Sequence, residues 1–196
     1  MGRVGVFVDR DGTLNEEAGY LNHVDRLVLL PRSGEALRLL NEAGFVTILI
    51  SNQSGVARGY FPESLVGEVH ERLRRMLAEE GARLDAIYYC PHHPDFGPPE
   101  LRKACDCRKP ATGMIDRGVA EFDLDPGRSY VVGDKLSDVA CAQAAGATGI
   151  LVRTGYGRGE LENQGEHKRV FPDHEAADLL DAAAWIVDRE RARGTR

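Results

Sequence analysis

Five short apolar runs recur along the chain, and they constrain the fold more than any other feature. They are Val4–Val8, Val46–Ile50, Ala86–Tyr89, Tyr130–Val132 and Gly149–Val152. Apolar residues within them are nearly continuous rather than alternating. This predicts strands covered on both faces, as in a parallel sheet between helical layers.

The intervening segments carry helical spacing. Residues 33–43 place Leu37 and Leu40 on one face and stop at Gly44. Pro62 opens a helix that carries Leu65, Val69, Leu73, Met76 and Leu77 and ends near Gly81. Thr112 is expected as the N-cap of a helix holding Ile115, Val119 and Phe122, and Ser137 as the cap of the next, which ends at Gly146. A last helix is expected from about Glu175 to Arg191, with Leu179, Leu180, Ala183, Ile186 and Val187 inward. The polar, Gly-rich segment Gly155–His174 reads as a surface loop, and the basic end Arg189–Arg196 as a frayed, solvated helix end. The expected fold class is α/β, a doubly wound parallel sheet, with residues 1–196 forming one domain. That length suffices to bury about 70% of the unfolded surface.

Net charge is −6, from 31 acidic against 25 basic residues. This argues against nucleic acid or an anionic membrane as the partner. No apolar run approaches the roughly 18 residues of a membrane span. Met1–Asp9 reaches a charge too soon for a signal peptide, and Val6 breaks a myristoylation pattern. A cytoplasmic protein is expected. A monomer is also expected, because no long apolar face is left over.

Reactive residues stand just past the runs: Asp9 after the first, Ser51 after the second, Cys90 after the third, and Asp134 after the fourth by way of Gly133. Open α/β sheets bind ligands outside the carboxyl ends of their strands, so these residues can meet in one crevice. In Asp9-Arg10-Asp11-Gly12-Thr13, one carboxylate can attack phosphorus while the other serves as proton donor and then base. For that, Asp11 must be partly protonated, which nearby negative charge would favour. The bland alternative is an Asp-Gly turn. Ser51-Asn52-Gln53-Ser54-Gly55 can bind phosphoryl oxygens or be a polar turn. Arg108-Lys109 can neutralise transferring phosphate and grip a second anion, or be solvated surface. In Gly133-Asp134-Lys135-Leu136-Ser137-Asp138, Asp134 suits a magnesium site, and Asp138 can hold a metal-bound water or cap a helix.

The four cysteines suit a reducing compartment as thiols or metal ligands. Cys141, in an Ala-rich segment, reads as a small buried hydrophobe. Cys90, Cys105 and Cys107 with His92 or His93 form a Cys₃His set suited to tetrahedral Zn²⁺. Four protein ligands leave no open position, so this zinc is expected to be structural. It would pin the loop before Arg108 and Lys109, and its loss is expected to displace Lys109.

Taken in order, Asp9-x-Asp11-Gly12-Thr13, Ser51, Lys109 and Gly133-Asp134-x-x-x-Asp138 resemble the four motifs of the haloacid dehalogenase superfamily, over about Gly5 to Val152. The resemblance implies a Rossmannoid fold and Mg²⁺ held by Asp9, the main-chain carbonyl of Asp11, and Asp134. Having Asp at position 11 resembles phosphatases rather than transport ATPases. The stretches after Thr13 and after Ser51 are too short for an α/β cap domain, so a capless enzyme with a zinc-stabilised loop is expected. The zinc loop and Leu14–Leu30 would shape its pocket.

Asp9–Asn15, Gly19-Tyr20, Ser51–Gly55, Cys90–Pro94 and Cys105–Pro110 further resemble the family of heptose-1,7-bisphosphate 7-phosphatases. That resemblance implies His92 rather than His93 as zinc ligand. It places Glu17, Ala18, Gly19, Tyr20, Ser51, Asn52, Gln53 and Ser54 along the substrate. Arg108 then aids recognition, Lys135 contacts substrate, and Ser51 and Lys109 join Asp9 and Asp11 in the chemistry. The implied substrate is a sugar bisphosphate that loses its 7-phosphate, in activated-heptose synthesis for lipopolysaccharide core or other cell-surface glycans. One alternative is a histidinol-phosphate phosphatase, whose zinc loop is shorter than the twelve residues between His92 and Cys105. Another is an inactive binding protein on the same scaffold, which should have lost a nucleophile or a metal carboxylate.

Overall fold

The computed structural model describes residues 2–163 and 170–194. Six parallel strands form one sheet in the order β3-β2-β1-β4-β5-β6. They are β1 (Gly5–Val8), β2 (Val46–Asn52), β3 (Ala86–Cys90), β4 (Tyr130–Gly133), β5 (Thr148–Val152) and β6 (His174–Ala176). The helices are α1 (Ser33–Glu42), α2 (Glu63–Glu79), α3 (Gly113–Phe122), α4 (Leu136–Ala144), α5 (Gly157–Glu162) and α6 (Leu179–Gly194).

Successive side chains of a strand point to opposite faces, so each central strand feeds two cores. Val6, Val8, Leu49, Val132 and Ile150 pack with Leu37 and Leu40 of α1, Leu73 and Leu77 of α2, and Ile186 of α6. Phe7, Ile48, Ile50 and Val131 pack on the other face with Met114 and Ile115 of α3 and Cys141 and Ala142 of α4. Cys141 is buried as expected, and its thiol donates to the Ala111 carbonyl at 3.3 Å. Register is set by this two-sided burial: Phe7 lies between Ile48 and Val131.

Several expectations need correction. β3 is an edge strand with alternating rather than continuous burial, since among the described residues it pairs only with β2. The Tyr88 and Tyr89 hydroxyls reach Glu121 and Glu63. β6 holds one buried apolar residue, Ala176, and is a strand because β5 pairs with it from Ile150 to Val152. Its pairing delays α6 to Leu179, where Asp178 Oδ1 accepts from Asp181 N and Asp181 Oδ2 accepts from Ala177 N, one residue before the cap. The basic end stays helical to Gly194, and residues 195–196 lie outside the described residues. The segment expected as a loop after Gly155 contains α5; its residues 164–169 also lie outside the description.

Thr112 does occupy the N-cap position of α3, but neither expected side-chain cap bond forms. The Thr112 hydroxyl donates to Asp116 Oδ2 instead of accepting from the helix start. Ser137 sits inside α4, whose first turn is closed by Asp138 Oδ2 accepting from Lys135 N at 3.1 Å.

Candidate active site

The carboxyl ends of β1, β2 and β4 open on a cleft of about 460 Å³. Asp9 leaves the tip of β1, where its N–H donates to the Val132 carbonyl at 2.9 Å. Lys109 Nζ lies 2.8 Å from Asp9 Oδ1, 2.6 Å from Asp138 Oδ1 and 2.9 Å from the Ile50 carbonyl that accepts from it. All three charged side chains are buried, which strengthens their mutual fields. Burial pushes Asp9 up to about 6, against the pull of Lys109. Burial alone would lower Lys109, but Asp138 and Asp9 more than reverse this and hold it charged.

Asp134 is fully buried at the end of β4. Its Oδ2 accepts from Tyr156 N at 2.9 Å, and among the described residues its Oδ1 has no hydrogen-bond partner. Burial, then the charge of Asp9, push it up to about 7. Ligand atoms of Asp9, Asp134 and Asp138 lie within 4.8 Å of one another. Both oxygens of Asp138 are engaged, one by Lys109 and one by Lys135 N. Asp138 therefore caps the helix and fixes the lysine, which leaves Asp134 Oδ1 and Asp9 Oδ2 as the carboxylate oxygens that could hold a cation. A buried carboxylate with one free oxygen beside a second carboxylate fits Mg²⁺, which prefers one or two carboxylates plus phosphate and water oxygens.

Asp11 departs from expectation. Its carboxylate accepts from Arg10 Nε at 3.1 Å and Nη2 at 2.8 Å, from Asn15 Nδ2 at 3.0 Å and from Gln53 Nε2 at 3.0 Å. Burial raises its pKa, but Arg10, Asn15 and Gln53 together carry it below the ordinary carboxylate value. The strongest neighbouring charge acting on it is the Arg10 cation rather than an anion, which favours the ionised form of Asp11. Arg10 is itself buried and gives Nη2 to Gln53 Oε1 at 3.0 Å.

Ser51 is the penultimate residue of β2 and accepts from Gln53 Nε2 at 2.7 Å. Asn52 is bonded twice to the main chain of Lys109. Glu17, Gly19, Tyr20, Ser54, Arg108 and Lys135 also line the cleft, and Lys135 Nζ reaches Glu17 Oε2 at 3.1 Å. Ala18 does not line it; its carbonyl faces Arg26 Nη2 at 3.4 Å. Sequence reasoning missed Tyr156 and Glu160, which form the far wall. Both lie in the stretch read as loop; the signal available was a reactive pair just beyond the fifth strand.

On one side of this cleft, Cys90 Sγ lies 3.5 Å from Cys105 Sγ and 3.6 Å from His92 Nδ1, and Cys107 Sγ lies 3.4 Å from both Cys105 Sγ and His92 Nδ1. A tetrahedron with Zn–S bonds of about 2.3 Å has sulfur–sulfur edges of roughly 3.8 Å, so the four atoms stand close to a zinc-sized cage. His93 is engaged elsewhere: Nε2 contacts Arg58 Nη2 at 3.0 Å and Nδ1 accepts from Asp95 N at 3.1 Å. Arg108 reaches the His92 carbonyl at 3.3 Å, so the cysteine loop touches the cleft through that arginine.

The chain is similar to known proteins over nearly its whole length. The family model described as HAD-hydrolase-like matches residues 106–182. The D-glycero-beta-D-manno-heptose-1,7-bisphosphate 7-phosphatase of Haemophilus ducreyi is 42% identical over 92% of this chain and 98% of its own. The D-glycero-D-manno-heptose-1,7-bisphosphate 7-phosphatase of Thermosynechococcus vestitus is 45% identical over 95% and 96%. A crystal structure of D,D-heptose 1,7-bisphosphate phosphatase from B. bronchiseptica, complexed with magnesium and phosphate, superposes with a TM-score of 0.83 at 34% identity, covering 95% of this chain and 99% of that one. With relatives this similar over nearly their whole length, the chain belongs to the D-glycero-D-manno-heptose-1,7-bisphosphate 7-phosphatase family of the haloacid dehalogenase superfamily.

Proposed function

We propose that this protein removes the 7-phosphate of D-glycero-D-manno-heptose 1,7-bisphosphate through an aspartyl-phosphate on Asp9. The observation that carries this reading is the buried Asp9–Lys109–Asp138 triad on the floor of a cleft whose wall presents further cations, Arg108 and Lys135. One buried cation sits at the nucleophile, and the others are placed for the second phosphate and the sugar.

Asp9 attacks phosphorus as the sugar oxygen leaves, and Lys109 offsets the charge that builds on the phosphoryl oxygens. Ser51 binds one of those oxygens through its hydroxyl. The substrate dianion raises the proton affinity of Asp11, which takes up one proton from solvent as the substrate binds, turns from Arg10 and gives that proton to the leaving oxygen. Asp11 then takes a proton from the water that attacks the phosphorus of phospho-Asp9; the bond from phosphorus to Asp9 breaks, phosphate leaves and the Asp9 carboxylate is restored. Asp9, Asp134 and the Asp11 carbonyl would hold Mg²⁺, which supplies Lewis-acid polarisation of the phosphoryl group. Cys90, His92, Cys105 and Cys107 would hold a structural Zn²⁺. Glu17, Gly19, Tyr20, Asn52, Gln53 and Ser54 flank the substrate. Residues 1–196 act as one domain, monomeric and cytoplasmic, supplying activated-heptose synthesis; among the described residues no helix is long and apolar enough to cross a membrane.

The test is phosphate release from heptose 1,7-bisphosphate in both anomers, histidinol phosphate and fructose 1,6-bisphosphate. A heptose bisphosphate is expected to turn over best, with the 1-phosphate retained. Preference for histidinol phosphate would move the protein to the alternative pathway. An Asp9→Asn protein that hydrolyses the substrate at the parent rate would remove the covalent mechanism.

A further inference from the structure

We infer that Thr154, Gly155 and Tyr156, a strap directly after β5, position the magnesium carboxylate Asp134 so that it offers one oxygen only. The inference rests on the reading of Asp9 and Asp134 as a Mg²⁺ site. None of the three residues belongs to the four motifs.

Two hydrogen bonds tie the strap to those motifs. Thr154 Oγ1 donates to the Gly12 carbonyl at 2.6 Å, and Tyr156 N donates to Asp134 Oδ2 at 2.9 Å. Between them, Gly155 has φ 53. A Cβ there would stand 2.2 Å from Asp134 Oδ2 and 2.7 Å from Gly12 Cα. A Cβ on Gly12, whose φ is 82, would stand 2.1 Å from the same oxygen. Two glycines and one amide thus enclose Asp134 Oδ2, leaving Oδ1 as the oxygen without a partner among the described residues.

This matters chemically because carboxylates can bind a cation with one oxygen or two. Mg²⁺ demands near-octahedral geometry at about 2.0–2.1 Å, whereas Ca²⁺ accepts bidentate carboxylates at longer range. Tying up Oδ2 prevents a bidentate grip. The bond to the Gly12 carbonyl fixes the peptide next to the Asp11 carbonyl, itself an expected ligand. Thr154 is therefore a positioning residue: it does not line the cleft and acts through Gly12.

Mg²⁺ binding to the zinc-loaded protein by titration calorimetry tests this, with melting temperature in excess Ca²⁺-free, Mg²⁺-free buffer as the control. Thr154→Val is expected to weaken Mg²⁺ roughly tenfold and narrow the preference over Ca²⁺, with melting within about 3 °C of the parent, while Thr154→Ser keeps parent affinity. Gly155→Ala, a second variant that does not depend on the hydroxyl, is expected to weaken Mg²⁺ at least as much. Parent-like Mg²⁺ affinity in both Thr154→Val and Gly155→Ala overturns the inference, as does equal weakening in Thr154→Ser and Thr154→Val. If the parent protein itself binds no Mg²⁺, the magnesium reading fails first, and that outcome is distinct.

Discussion

Asn52 and Lys109 exchange two hydrogen bonds across 57 residues of sequence: Asn52 Nδ2 donates to the Lys109 carbonyl and Lys109 N donates to Asn52 Oδ1, each at 3.1 Å. The last residue of β2 therefore holds Lys109 by its main chain, and the Ile50 carbonyl accepts from its ammonium. The sequence alone suggested that zinc does this work. The structure gives Lys109 an anchor independent of the cysteine loop, whereas Arg108 is bonded to the loop at the His92 carbonyl. Removing zinc, by chelation or Cys107→Ser, is thus expected to raise KM for the bisphosphate about tenfold while kcat changes less than about threefold. Asn52→Ala should show the reverse split. Steady-state kinetics with metal content measured on the same samples will show which residue zinc serves.

Arg10 is a buried cation whose partners are Asp11, Gln53 and His70. Burial, then Arg10, push His70 down to about 3, so the ring is neutral and its Nε2 accepts from Arg10 Nη1 at 3.5 Å. Arg10→Ala would strand Asp11 and His70 together. The expected loss is about 3 kcal/mol, the scale for breaking one side of a buried pair. Urea unfolding measures this; a loss below about 1 kcal/mol would mean that solvent replaces the guanidinium.

Asp9 and Asp134, at about 6 and about 7, make cation binding pH-dependent. A cation must displace any proton they hold. Mg²⁺ affinity is expected to fall about tenfold per pH unit below roughly pH 7, and faster below roughly pH 6, where both are protonated. The effect on stability without Mg²⁺ has the opposite sign. Both values are raised above the ordinary 3.8, so their contribution is fully present below that value and is lost as pH rises through about 6 and 7. Added Mg²⁺ should therefore raise the melting temperature more at about pH 8 than at about pH 6. A pH-independent dissociation constant over that range would contradict the assignment.

Gly118 of α3 tests the fold apart from the site. A Cβ there would stand 2.7 Å from Phe7 Cε1 and 2.9 Å from Ile48 Cδ1, both on buried side chains of the central strands. Gly118→Ala gains helix propensity but must overpack this layer, at a net cost of about 1–3 kcal/mol. Calorimetric melting is the check; a stabilised protein would show that α3 can slide away from the sheet.

The central strands were legible because two-sided burial writes continuous apolar runs into the sequence. The reactive residues beyond them were legible because a parallel sheet carries its strand ends to one edge. Asp9, Ser51 and Asp134 could thus be assembled without coordinates; Lys109, in the loop ahead of α3, was placed by the resemblance to the four motifs, and the family pattern chose His92 over His93 beside Cys90, Cys105 and Cys107. β6 and the edge character of β3 were not legible, because each depends on which neighbour a strand has. The Thr112 hydroxyl bonded Asp116 and the start of α4 was closed by Asp138, because several nearby polar side chains compete at a helix start and residue type alone does not say which wins.

Sequence by itself determined the set of chemical groups and the layer order, since both follow from local residue pattern. Tertiary structure decided which partner each group has: Arg10 for Asp11, Asn52 for Lys109, Tyr156 for Asp134. The physical reason is distance. Charge and hydrogen bonding act over a few ångströms in a buried site, and only the folded chain states which residues come that close.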